Sequence, residues 1–139
     1  MVCENELERT FVALKPDTVE RKLVGRVIQR FEDRGFEIVE MRMLTLTGKM
    51  AEEYYGEHKG KEFYERLIKF MTSGRIVAMV IEGERAISTV RKMLGNTCPC
   101  DAEPGTIRGD FGLYTPANII HASDSLKSAE REIDLFFGI

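Results

Sequence analysis

The run Ile76-Val77-Ala78-Met79-Val80-Ile81 contains no polar residue and is closed by Arg75 on one side and Glu82 on the other. It is short for a buried helix and rich in β-branched residues, so it predicts a strand buried on both faces at the centre of a sheet. The rest of the chain has to pack around it.

Thr10–Leu14 is a second short apolar run, stopped at Lys15-Pro16-Asp17, because proline cannot donate to a ladder. That strand delivers Lys15 at its end. Leu23, Val24, Val27, Ile28 and Phe31 fall on one helical face, and Gly35 stands where a left-handed helix terminus favours glycine. Phe36–Leu46 sets Ile38, Val39, Met41, Met43 and Leu44 among Glu37, Glu40 and Arg42, which predicts a mostly alternating strand with one face covered. Lys49–Thr72 spaces Tyr54, His58, Leu67, Ile68 and Met71 helically around a break near Gly60, giving two short helices with Gly74 ending the second. Ile87, Val90, Arg91 and Leu94 make another helix that Gly95 terminates.

The stretch that follows, rich in Gly, Pro, Asp, Thr and Cys, carries no period and predicts a long loop of the kind that is functional or disordered. Ala117–His121 predicts the last strand. Ser125–Phe136 predicts the last helix, with Ala129, Ile133 and Phe136 inward. Strands alternating with helices in this order imply an α+β sandwich, a ferredoxin-like βαββαβ unit with an antiparallel four-stranded sheet, helices on one face of it and extra helices. Residues 1–139 are expected to form a single domain.

Composition narrows the function classes. Apolar residues make up 43% of the chain, enough for a core without staples. Twenty basic against twenty-three acidic side chains give a net charge of -3, so no overall positive field draws nucleic acid or an anionic membrane. An anionic ligand therefore needs a local basic cluster. No apolar run approaches the roughly 18 to 20 residues that span a bilayer, and the acidic start Met-Val-Cys-Glu-Asn-Glu is unlike a signal. Cys3, Cys98 and Cys100 are expected to be reduced thiols, so the chain is expected in the cytoplasm. Cys98-Pro99-Cys100 lacks the spacing and partners of a zinc site.

Two phosphate-binding motifs are absent from the sequence. Gly56–Glu62 is too short for a phosphate-binding P-loop and lacks its Ser or Thr, and Gly105, Gly109 and Gly112 do not have dinucleotide-fold spacing. His121 is the better lead. It ends an apolar run beside a helix start in Asn118-Ile119-Ile120-His121-Ala122-Ser123-Asp124-Ser125, and an imidazole that is mostly neutral at pH 7 offers a lone pair able to attack phosphorus. Ser123, Asp124 and Ser125 are suited to cap the following helix. Arg91 precedes the long loop, and Thr97 and Arg108 lie inside it; arginine forks match phosphate oxygens. Taken singly, each feature also fits a structural histidine, an ordinary cap and solvated arginines paired with Asp101, Glu103 and Asp110.

Three blocks in order, Glu8-Arg9-Thr10-Phe11 with Lys15-Pro16-Asp17, Pro104-Gly105-Thr106-Ile107-Arg108-Gly109-Asp110-Phe111, and Asn118 to Ser125, resemble the nucleoside diphosphate kinase family over essentially the whole chain. The resemblance implies transfer of the γ-phosphate of a nucleoside triphosphate, typically ATP, to a nucleoside diphosphate. It implies a ping-pong route through a phosphohistidine, with Mg2+ across the nucleotide phosphates and no metal ligand from the protein. His121 matches the phosphorylated histidine, and Ser123 and Glu132 match the residues that hold its ring. Lys15, Tyr55, Arg91, Thr97, Arg108 and Asn118 match positions that bind phosphates and sugar, and Phe63 matches the aromatic on which the base stacks. A homo-oligomer, tetramer or hexamer, is implied, as is a role in maintaining nucleotide pools.

The roles are physically coherent. Phosphoryl transfer needs charge neutralisation and alignment more than proton chemistry, and a stacking platform accepts every base. Ala122 departs from the family's usual glycine, and Cys98 and Cys100 flank Pro99 where other residues are usual, which makes redox sensitivity near Thr97 and Arg108 an expectation. Two other classes remain: a catalytically silent nucleotide- or protein-binding module, which has no need of a nucleophile, and a histidine phosphocarrier, which has no need of Phe63.

Overall fold

The computed structural model describes residues 7–139; the acidic N-terminal stretch and Cys3 lie outside the described residues. Four strands, Leu7–Leu14 (β1), Glu37–Thr45 (β2), Arg75–Glu84 (β3) and Ile120–Ala122 (β4), form one antiparallel sheet in the order β2-β3-β1-β4. The helices are Pro16–Glu20 (α1), Val24–Asp33 (α2), Gly48–Tyr54 (α3), Tyr64–Met71 (α4), Ala86–Leu94 (α5), Ile107–Phe111 (α6) and Leu126–Phe137 (α7). This is the ferredoxin-like α+β arrangement that the order of elements implies.

The inner strands explain the uninterrupted apolar run. Val77, Met79 and Ile81 of β3, with Val12 and Leu14 of β1, pack against Val27 and Phe31 of α2 and Val90 and Leu94 of α5. The alternate residues Ile76, Ala78, Val80, Phe11 and Ala13 face Tyr54 of α3, Leu67 and Met71 of α4, and Ile133 and Phe136 of α7. Successive side chains of a strand point to opposite faces, so a strand covered on both sides must be apolar at every position. Helices therefore close both faces, where the sequence reading placed them on one. A single helix's period shows which stripe is apolar but not which face of the sheet receives it.

β2 is an edge strand with a register shift between Ile38 and Glu40. Ile38 joins the first cluster and the extra residue, Val39, packs on the second. Of the β2 residues only Ile38 reaches the first cluster, so Met41 and Met43, expected under cover, remain 55% and 48% exposed.

Three other boundaries differ from expectation. Lys49–Thr72 breaks into α3, a 3-10 turn at Gly56–His58, and α4, which ends at Met71 before Gly74. The long loop contains a 3-10 turn at Pro99–Asp101 and α6, capped by the Thr106 hydroxyl accepting the Gly109 N–H at 3.0 Å. One turn of helix is too short to show a period. β4 starts at Ile120 because Ile119 has φ +76, outside the strand region, and its carbonyl is already taken by the Lys15 N–H at 2.8 Å and the Thr18 hydroxyl at 2.6 Å.

Candidate active site

Pro16 opens α1, so β1 stops with Lys15 at the edge of a cleft of about 500 Å³. Lys15, Tyr55, Phe63, Arg91, Thr97, Arg108, Asn118 and His121, all singled out from the sequence, line it together. Ser123 and Glu132 lie behind it, buried.

β4 places His121 opposite Ala13 of β1. The ring's Nε2 is buried and sits 3.4 Å from Glu132 Oε2, while Glu132 Oε1 accepts the Ser123 hydroxyl at 2.5 Å. Ser123 is itself tied to β1 by its N–H on the Phe11 carbonyl at 3.0 Å. It is thus not a cap of α7; Ser125 has that task, accepting the Ser128 N–H at 3.1 Å. Tyr54 meets the His121 ring edge-on, centroids 5.1 Å apart at 82°. Burial holds the imidazole pKa below its usual value, with Glu132 only partly opposing the shift, so the neutral, nucleophilic form dominates at pH 7.

Lys15 Nζ donates to Asn118 Oδ1 at 2.6 Å and to the Pro116 carbonyl at 3.3 Å. Asn118 Nδ2 in turn donates to the Thr97 carbonyl at 2.8 Å. Burial lowers the Lys15 pKa to about 7, with Arg108 adding to the shift and Asp17 opposing it. Asp17 accepts the Ile119 N–H at 3.0 Å, one of the bonds that hold Ile119 at a φ that β-branched residues avoid.

Arg108 departs from the picture of a free fork. Nε, Nη1 and Nη2 donate to the carbonyls of Asn118 at 3.3 Å, Gly95 at 3.1 Å and Ile120 at 2.7 Å, and the residue is 4% exposed. It braces the loop and offers the cleft a fixed charge; burial and the neighbouring Arg91 lower its pKa to about 10, so it stays protonated at neutral pH. Arg91 spends one nitrogen on the Ala122 carbonyl at 3.1 Å. The carboxylate of Asp110, weighed as a partner for these arginines, pairs with Arg30 at 2.7 Å instead. Close approach of α6 to its neighbours depends on two glycines: a Cβ on Gly95, at φ +84, would lie 2.5 Å from Thr106 Oγ1, and one on Gly109 would lie 2.0 Å from the Glu103 carbonyl oxygen.

The opposite wall is looser. Phe63 is 47% exposed, with the His58 ring 5.7 Å away and Lys61 Nζ 5.9 Å from its centroid. His58, Arg66 and Asp124 also line the cleft and were not singled out as ligand-binding residues from the sequence. The signal for His58 was its rarity, one of two histidines, but it lay inside the segment rejected as a P-loop.

The arrangement sets a neutral imidazole at the end of a cleft carrying Lys15, Arg91 and Arg108, which suits a polyanion whose terminal group is attacked. Among the described residues the one cluster with metal-ligand geometry is Cys98, Cys100 and Asp101, whose thiolates are ill-suited to a hard cation.

The family model described as nucleoside diphosphate kinase matches residues 8–139. A nucleoside diphosphate kinase of Methanococcus maripaludis is 96% identical over 132 residues, covering 95% of this chain and 99% of the relative. One from Methanocaldococcus jannaschii is 73% identical over 130 residues, covering 94% and 93%. The solved structure of a halophilic nucleoside diphosphate kinase from Halobacterium salinarum in complex with CDP superposes with a TM-score of 0.93 at 45% identity, covering 95% of this chain and 88% of that one.

Proposed function

The chain belongs to the nucleoside diphosphate kinase family of phosphotransferases, and on that premise we propose that it moves the γ-phosphate of a nucleoside triphosphate, typically ATP, onto a nucleoside diphosphate through a phosphohistidine on His121. The observation that carries this reading is the enclosure of Nε2. With that nitrogen buried against Glu132, Nδ1 is the ring nitrogen left for the cleft, and the ring is neutral. In the first half-reaction the Nδ1 lone pair forms a bond to the γ-phosphorus as the bond to the bridging oxygen breaks and the nucleoside diphosphate leaves. In the second, a terminal phosphate oxygen of another diphosphate takes the phosphoryl group and His121 is restored.

Glu132, oriented by Ser123, faces Nε2 from 3.4 Å and stabilises the charge that the ring acquires. Lys15, Arg91 and Arg108 neutralise the transferring phosphates; Tyr55, Thr97 and Asn118 bind the phosphates and sugar. Phe63 gives the base a face on which any nucleobase stacks. Magnesium carried on the nucleotide would add charge neutralisation at the phosphates, beside Lys15, Arg91 and Arg108. The ping-pong cycle serves nucleotide pools in the cytoplasm, and residues 1–139 act as one domain. Among the described residues no helix is long and apolar enough to cross a membrane. The half-paired edge strand β2, with Met41 and Met43 exposed, supports a homo-oligomer, tetramer or hexamer.

The test is transfer of labelled γ-phosphate from ATP to dTDP with magnesium, beside His121→Ala. Transfer and an acid-labile protein label are both expected, and both are expected to vanish in the variant. A wild-type chain that binds ATP but neither transfers nor takes label would make a silent nucleotide-binding module the better reading.

A further inference from the structure

Cys98 and Cys100 lie on either side of Pro99, where the chain enters the 3-10 turn, on the loop that also carries Thr97. Cys98 is half-buried and Cys100 exposed, and their Sγ atoms stand 2.8 Å apart. A disulfide needs about 2.0 Å between sulfurs, so closing the bond asks for less than an ångström of movement. A shared tetrahedral metal ion at about 2.3 Å from each sulfur would hold them roughly 3.8 Å apart, so the pair would have to open to take it. Among the described residues Asp101 is the one further ligand in reach, short of the four a closed metal site uses.

The residue before Cys98 is the link to the cleft. The Thr97 carbonyl accepts Asn118 Nδ2 at 2.8 Å and the Thr115 hydroxyl at 3.5 Å, and Asn118 Oδ1 holds Lys15 at 2.6 Å. Any shift of the Cys98 backbone is passed through one peptide unit to the bond that orients Asn118, and from there to the lysine.

We propose that Cys98 and Cys100 form a reversible oxidative modification site, a dithiol that a hydroperoxide closes into a disulfide within the loop, and that closure weakens nucleotide binding through Thr97 and Asn118. One thiol attacks the peroxide O–O bond, giving a sulfenic acid and releasing the other oxygen as water from hydrogen peroxide or as the alcohol from an organic hydroperoxide. The second thiol displaces the sulfenic oxygen as water and the S–S bond forms, so the two sulfurs supply the two electrons that reduce the peroxide. A small dithiol reductant reverses the step by exchange. The coupling rests on the nucleotide reading of the cleft; the thiol chemistry does not.

The experiment uses the full chain carrying Cys3→Ser, with and without Cys98→Ser and Cys100→Ser together. Each is exposed to hydrogen peroxide, then to dithiothreitol. Peptide mass is expected to show loss of two hydrogens confined to the peptide holding both cysteines, reversed by the reductant. ADP affinity by calorimetry is expected to fall about two- to ten-fold on closure, the worth of one ordinary hydrogen bond, and to be unmoved in the double variant. Single variants, Cys98→Ser or Cys100→Ser, are expected to run on to sulfinic acid, having no second thiol to trap the sulfenic acid. Sulfinic acid in the parent chain without a disulfide overturns the site. A disulfide that leaves ADP affinity unchanged overturns the coupling. A closed disulfide in a chain that binds ADP in neither state establishes the dithiol and overturns the functional reading instead.

Discussion

The two walls of the cleft are built on opposite principles. On one, Lys15, Arg108 and Asn118 are buried, and their polar atoms are committed to carbonyls and to one another before any ligand arrives. On the other, Phe63 is half exposed, with only the loose ring and ammonium contacts of His58 and Lys61. Rigid charge placed where charge develops needs no reorganisation during the reaction, whereas an open aromatic shelf tolerates any planar base. The wall that carries the basic residues is built like a core; the wall that carries Phe63 is built like a surface.

If the contrast holds, damage to the first wall reaches both fold and turnover. Arg108→Ala strands the carbonyls of Gly95, Asn118 and Ile120 and removes a fixed charge. The expected result is a loss of about 2–4 kcal/mol in urea unfolding together with at least a roughly hundredfold drop in kcat/KM. Full stability in this variant would mean that water replaces the three bonds at no cost and that the wall is not core-like. Glu132→Gln keeps the shape behind the imidazole but removes the charge facing Nε2. Single-turnover phosphorylation by ATP should slow about ten- to a hundredfold with nucleotide affinity nearly unchanged, which separates ring positioning from binding.

Lys15 sharpens the comparison through pH. Its pKa is about 7 in the fold against 10.5 as the ordinary value, so between these limits the unfolded chain holds more protons. Stability therefore rises with pH across that window by as much as a few kcal/mol, while below about pH 7 the full cost of burying the ammonium is present. Unfolding free energies at pH 6 and pH 9 measure the slope, and Lys15→Met should flatten it. The ligand-free chain must also take up a proton to bind phosphate above pH 7, so ADP affinity should weaken as pH rises. The smallest effect on the fold belongs to Phe63→Ala. It should raise KM about tenfold for purine and pyrimidine diphosphates alike, through lost stacking, and leave the urea midpoint in place. A large stability loss there would show that the shelf is part of the core after all.

Much of this was legible in the chain. The apolar run at Ile76–Ile81 identified the inner strand, Gly35 and Ser125 marked helix ends, and the ordered blocks around Lys15, Arg108 and His121 named the residues that line one cleft. Other features were not legible, and for identifiable reasons. α6 is too short to display a period. Arg108 reads as a solvent-facing phosphate fork until the three carbonyls are seen. From its neighbours alone Ser123 reads as a helix cap; only the family resemblance pointed it at the histidine, and its hydroxyl is spent on Glu132.

What the sequence determined by itself is local: which segments extend or coil, where they stop, and which residue types with phosphate chemistry are present in which order. These follow from side-chain period, proline and glycine, which act over a few residues. Tertiary structure alone decided that helices close both faces of the sheet, that Lys15 meets Asn118, and that β1 holds Ser123. These contacts join positions far apart in the chain, and they form because buried polar groups must find partners once the strands are paired, a condition that no local pattern encodes.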